Sequence, residues 1–129
     1  MTRDLVIVAC AISAGIHAAL APEHFRESMG AGVGFLAAAV ILAAVAAALT
    51  RRPGSAFLLG VAAASFAGLL GSYALAATTG LPLLHPEPEP VTGLALFTKG
   101  VEAVGLVAAV SSLTAFSPPL LPRLKGTLT

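Results

Sequence analysis

The residues able to do chemistry are few, and they gather toward one half of a very apolar chain. His17, His24 and His85 are its only histidines, and Lys99 and Glu102 lie inside an apolar run, three residues apart. That spacing puts Lys99 and Glu102 on one helical face. Ionisable groups in a membrane segment are rare and costly, so each is a candidate site residue. The segment Pro22-Glu23-His24-Phe25-Arg26-Glu27-Ser28 sets His24 and Glu27 three residues apart. A helix running on through Pro22 would bring His17 onto the same face two turns earlier. His-x6-His-x2-Glu could then offer two imidazoles and a carboxylate to zinc, copper or iron. With His85 and Glu102 added, the expected metal ligands are His17, His24, Glu27, His85 and Glu102. Two such histidines could also hold a haem iron, although the CxxCH attachment motif is absent. Each residue has a plainer alternative. Lys99 and Glu102 could neutralise each other, and His17 could bond a neighbouring carbonyl. His24 and Glu27 could form a solvated turn, and Tyr73 could be an interfacial anchor.

The elements that must position these groups are membrane helices. Of 129 residues, 57% are hydrophobic and 10% charged, against about 25% charged in a soluble domain. Seven basic and six acidic residues suggest no nucleic-acid partner, and the single Cys10 offers no intrachain disulfide. Four stretches reach the roughly 17–25 apolar residues that a spanning helix needs: Leu5–Ala21, Ala31–Thr50, Ala56–Thr79 and Thr92–Phe116. Pro22, Arg51-Arg52-Pro53-Gly54, Gly80-Leu81-Pro82 and Ser117-Pro118-Pro119 close them in turn. Short connections make successive helices antiparallel. The expected fold is therefore all-α, one domain over residues 1–129: an integral membrane four-helix antiparallel bundle with outer loops 22–30 and 80–91 and inner loop 51–55. Arg3 before an apolar run and Ala19-Leu20-Ala21 outlines a signal peptide, but Pro22 beyond the cut and Asp4 beside Arg3 favour a retained helix.

Basic residues of short loops stay cytoplasmic. Arg3, Arg51, Arg52, Arg123 and Lys125 fall on one side of this topology, while Glu23, Glu27, Glu87 and Glu89 fall on the other with only Arg26. Both termini are thus expected in the cytoplasm, in a multi-pass protein of the inner membrane. All three histidines then belong to the exterior half. Glu102 lies near mid-membrane, and Tyr73 at a similar depth.

Lipid gives no hydrophobic drive for helix association, so small residues are expected to bring helices together. Gly60, Ala64, Gly68 and Ser72 recur every fourth residue in the third span; Ala11, Gly15 and Ala19, then Ala39, Ala43 and Ala47, repeat the pattern in the first and second, and Gly105 and Ala109 in the fourth. Packing within the bundle is the expected use, with a membrane-protein partner or a homo-oligomer as the alternative for one stripe.

Phosphate loops, GxSxG elbows and HExxH helices are absent, which leaves catalysis little support. The size and helix count are those of the small multidrug-resistance exporters. Those proteins resemble one another in an acidic residue in the first span, where this chain has His17. The order His17, Pro22-Glu23-His24, Glu27, Gly80-Leu81-Pro82 and Glu102 resembles small uncharacterised bacterial four-helix integral membrane proteins. The resemblance spans most of the chain, implies that architecture and carries no established activity. The expected function is an outward His/Glu site that binds or handles a transition metal. Its alternatives are a non-enzymatic accessory subunit of a larger membrane complex, and a small proton-coupled transporter in which Glu102 titrates beside Lys99 or His17.

Overall fold

The computed structural model describes residues 1–82 and 86–116. His85, an expected ligand, and Arg123 and Lys125, expected at the basic end, lie outside them. The described chain is all-α, with helices α1 (Thr2–Glu27), α2 (Met29–Arg51), α3 (Ala56–Thr78) and α4 (Gly93–Thr114). All four are long and apolar enough to cross a membrane. At about 1.5 Å per residue, 22 residues extend some 33 Å, against a hydrocarbon core of about 30 Å.

Three of the helices begin on a hydroxyl cap. Ser28 accepts from the Ala31 N–H at 3.0 Å, Ser55 from Leu58 at 3.3 Å and Thr92 from Ala95 at 3.2 Å. Each satisfies one of the donors that a helix start leaves open. The first break differs from the one expected. Pro22 stands inside α1, and the segment expected as an outer loop at 22–30 contains one extended residue, Ser28, between two helices. Proline removes a single helical hydrogen bond, which a membrane helix tolerates, and the good helix formers after it carry the turn on to Glu27. Ser28 then ends α1, its N–H bonded to the His24 carbonyl at 2.9 Å, while its side chain starts α2.

The helices form a ring in chain order. α1 packs on α2 and α4, α3 on α4 and more lightly on α2, and α1 and α3 barely meet. Side-chain bonds across α1 and α4 fix their antiparallel register, Ser112 meeting Thr2 at 3.3 Å and Ser13 meeting Glu102 at 2.9 Å. One end of the ring is basic, with Arg3, Arg51 and Arg52; the Arg3 guanidinium lies 4.7 Å from the Phe116 ring centroid. The other end carries Glu23, Glu27, Glu87 and Glu89. Its chain turns out of α3 at Gly80 (φ 74°) and returns so that the Glu89 N–H donates to the Ala76 carbonyl at 2.8 Å.

Val6, Cys10, Leu42, Leu49, Leu59 and Phe66 are fully buried and fill the half of the ring toward the basic end. Outward positions are apolar too: Val8, Val33, Val40, Val104 and Val107 are all more than half exposed. That apolar exterior suits a lipid environment. Most of the small residues in the expected stripes of the first three helices lie elsewhere than expected, although Ala39 of α2 is buried. Ala64, Gly68 and Ser72 are exposed and Gly60 is half-buried, and Ala11, Gly15 and Ala19 also face outward. α3 instead packs through Leu59, Ala62 and Phe66. A small residue in lipid is compatible with either face, so the repeat alone does not orient the helix.

The pattern does serve α4, where Gly105 and Ala109 are buried. A methyl at Gly105 would stand 2.5 Å from the Phe66 ring and 2.8 Å from the Ala9 Cβ, so the absence of a side chain lets α1, α3 and α4 meet. Gly105→Ala is expected to destabilise the protein by ~1–3 kcal/mol through overpacking. Gly68→Ala, with open space around it, should leave stability unchanged or slightly raised. Unfolding in detergent followed by circular dichroism separates the two.

Candidate functional site

Glu102 is the buried polar centre. Its side chain has no exposure, and its two oxygens have separate partners. Oε2 receives the Lys99 ammonium at 2.6 Å, one turn back on α4, and Oε1 receives the Ser13 hydroxyl from α1 at 2.9 Å. A buried carboxylate requires this kind of compensation, since an unpaired charge in apolar surroundings is very costly. His17 follows Ser13 by one turn and faces the same carboxylate. Its Nε2 stands 3.9 Å from Glu102 Oε1, beyond direct hydrogen-bond range but suited to a bridging water.

The local helix fixes the histidine orientations. His17 Nδ1–H donates to the Ser13 carbonyl at 2.8 Å, and His24 Nδ1–H donates to the Leu20 carbonyl at 3.0 Å. A neutral imidazole held through Nδ1 presents Nε2 as its acceptor. Because α1 continues through Pro22, His17 and His24 share a face, as the spacing allows. Phe35 of α2 packs against both rings, its centroid 5.1 Å from His17 and 3.6 Å from His24, the latter stacked. His24 Nε2 faces Glu89 Oε1 at 3.9 Å.

A cavity of about 380 Å³ opens between these groups at the acidic end of the ring. His17, Tyr73 and Lys99 line its deep part and His24, Glu27 and Glu89 its outer part, with Leu20, Phe35, Leu69 and Leu94 among the apolar walls. Lys99 Nζ also lies 5.3 Å from the Tyr73 ring centroid, a cation–π distance. Tyr73 Oη is buried and is the only such side-chain oxygen or nitrogen without a hydrogen-bond partner among the described residues.

Of the residues expected in the site, the structure brings His17, Lys99 and Glu102 into one cluster, lines the cavity with Tyr73, and sets His24 and Glu27 at its outer part. No group of three His, Cys, Asp or Glu suited to a metal occurs among the described residues. Three contributors were not expected. Ser13 was legible in principle, lying four residues before His17 on the same face. Glu89 was counted only as loop charge, and its approach to His24 depends on how the loop returns. Phe35 carried no signal, being one apolar residue among many in α2.

No family model, curated protein or solved structure matches this chain. The buried pair is therefore best tested directly. Lys99→Met, which leaves Glu102 without its cation, is expected to cost ~3–5 kcal/mol in detergent unfolding. Adding Glu102→Gln should recover most of that loss, because the carboxamide keeps the Ser13 bond without the charge. A silent Lys99→Met would contradict the pairing.

Proposed function

We propose that this chain is a multi-pass protein of the cytoplasmic membrane that takes protons, together with a small ligand, into an outward vestibule ending at Glu102. The observation that carries the proposal is the position of the Glu102 carboxylate. It has no exposure, yet its partners His17 and Lys99 both line the cavity. A membrane carboxylate kept at this cost marks a functional site by default. The basic residues Arg3, Arg51 and Arg52 at the opposite end support the orientation, with that end and both termini cytoplasmic.

The chemistry follows from the contacts. The cavity borders His17, and the 3.9 Å between its Nε2 and Glu102 Oε1 is a gap one water could carry a proton across. A proton passed to the carboxylate removes the charge that holds Lys99 and frees an ammonium beside the cavity. Proton binding at Glu102 and charge inside the vestibule are then linked. Toward the cytoplasmic end, Leu42, Leu49, Leu59 and Phe66 close the ring. Movement across the membrane therefore needs the helices to shift around Glu102.

A transition metal at His17, His24, Glu27, His85 and Glu102 is the second candidate. Its support is that both described imidazoles are tied back through Nδ1, as metal-binding histidines commonly are. It ranks lower because Lys99, at 2.6 Å from Glu102, repels a second cation there. An accessory-subunit role draws on the outward Ala64, Gly68 and Ser72 of α3, which leave a smooth face for a membrane partner.

In proteoliposomes carrying an internal pH indicator, an acidic exterior should drive proton uptake above the protein-free rate. Glu102→Gln should reduce it to that background, while Glu89→Gln should leave most of it. Uptake unchanged in Glu102→Gln would overturn the proton role. Near-stoichiometric zinc or copper that disappears in His17→Ala would favour the metal instead.

A further inference from the structure

The vestibule presents more acceptors than donors. Ser72 donates its hydroxyl to the Leu69 carbonyl at 3.0 Å, and Thr98 donates to the Leu94 carbonyl at 2.8 Å. Each oxygen is left as an acceptor on the cavity lining. His17 Nδ1–H is committed to the Ser13 carbonyl, so the ring in its neutral form offers a further acceptor, Nε2. Among the charged groups of the described residues, the carboxylate of Glu89 lines the cavity, and the Lys99 ammonium there is already bound to Glu102. Glu89 therefore offers the cavity an anionic acceptor. The walls are apolar, and the rings of Phe35 and Tyr73 add π faces that attract cations. Tyr73 already takes the Lys99 ammonium at 5.3 Å, while its buried Oη has no partner among the described residues. A buried hydroxyl in that state marks a place where a ligand or water completes the bonding.

We infer that the vestibule binds a small organic cation, a protonated amine on an apolar body. This rests on the vestibule of the proposed function but not on its proton step. The ammonium donates to Glu89, whose side chain is 28% exposed at the outer part of the cavity. The apolar body extends inward along Phe35 and Leu69 toward Tyr73. A cavity of about 380 Å³ is at the small end of ligand sites, which sets the size near one aromatic ring with a short amine arm. An anion meets the Glu89 carboxylate there and is rejected. A neutral isostere keeps the apolar contacts and loses the charge-assisted bond.

Calorimetry on the full chain in nanodiscs, corrected for empty nanodiscs, tests this with phenethylammonium, 2-phenylethanol, phenylacetate and zinc. The expected result is binding of phenethylammonium at least about tenfold tighter than 2-phenylethanol, with no binding of phenylacetate. Glu89→Gln, a change in a partly exposed loop residue, should weaken phenethylammonium about tenfold and leave 2-phenylethanol unaffected. Equal affinity for the ammonium and the alcohol would overturn the inference. So would preference for phenylacetate, indifference to Glu89→Gln, or zinc bound in place of the amine. Loss of proton uptake in Glu102→Gln, together with no phenethylammonium binding by the wild-type protein, would remove the ligand class and leave the proton role standing.

Discussion

The carboxylate of Glu102 sets the terms for the rest of the molecule. A charge without exposure, in a chain with four helices of membrane-spanning length, needs compensation within a few ångströms. Lys99 supplies it from the same helix and requires no particular fold to do so. Ser13 is different, because it lies on α1, and its bond to Glu102 together with that of Ser112 to Thr2 holds α1 and α4 antiparallel in one register. That register carries Ala9 to Gly105, where the missing side chain admits both Ala9 and Phe66. It also carries His17 to the carboxylate. Two polar contacts from α4 thus fix the direction and the offset of α1.

From that register the two halves of the ring diverge. Toward the basic end, Leu42, Leu49, Leu59 and Phe66 are large enough to fill the space between the helices. Toward the acidic end, the residues facing inward from three helices include Ala31, Gly34, Ala76 and Ala95, which are too small to meet. A cavity remains, and its polar lining distinguishes it from a simple packing defect. Unfilled volume lowers stability, and a buried hydroxyl left without a partner lowers it further. A vestibule that holds both gains from an occupant able to replace those contacts.

The number of helices, their approximate limits and the charge difference between the ends were legible in the sequence, because length and hydropathy dominate membrane segments. The pairing of Lys99 with Glu102 was also legible, since it depends on helical spacing alone. Three features were not. Pro22 looked like a stop, but a proline costs one hydrogen bond, and the residues after it keep the helix going. The small residues of α3 looked like an internal seam; in lipid, however, the same residues fit an outward face, and Leu59 and Phe66 took the inner one. The partners Ser13, Phe35 and Glu89 come from other elements. A single sequence holds no record of which residues meet across helices.

The continuation of α1 past Pro22 sets how its two histidines are placed. Seven residues along one helix set the backbones of His17 and His24 about 10 Å apart, and Phe35 packs against both rings. Each histidine faces its own carboxylate, His24 with Glu89 near the mouth and His17 with Glu102 in the interior. The two histidines of α1 thus each lie beside a carboxylate brought by another part of the chain, Glu89 by the segment before α4 and Glu102 by α4 itself. A helix that had stopped at its proline would have left His24 without this fixed relation to His17.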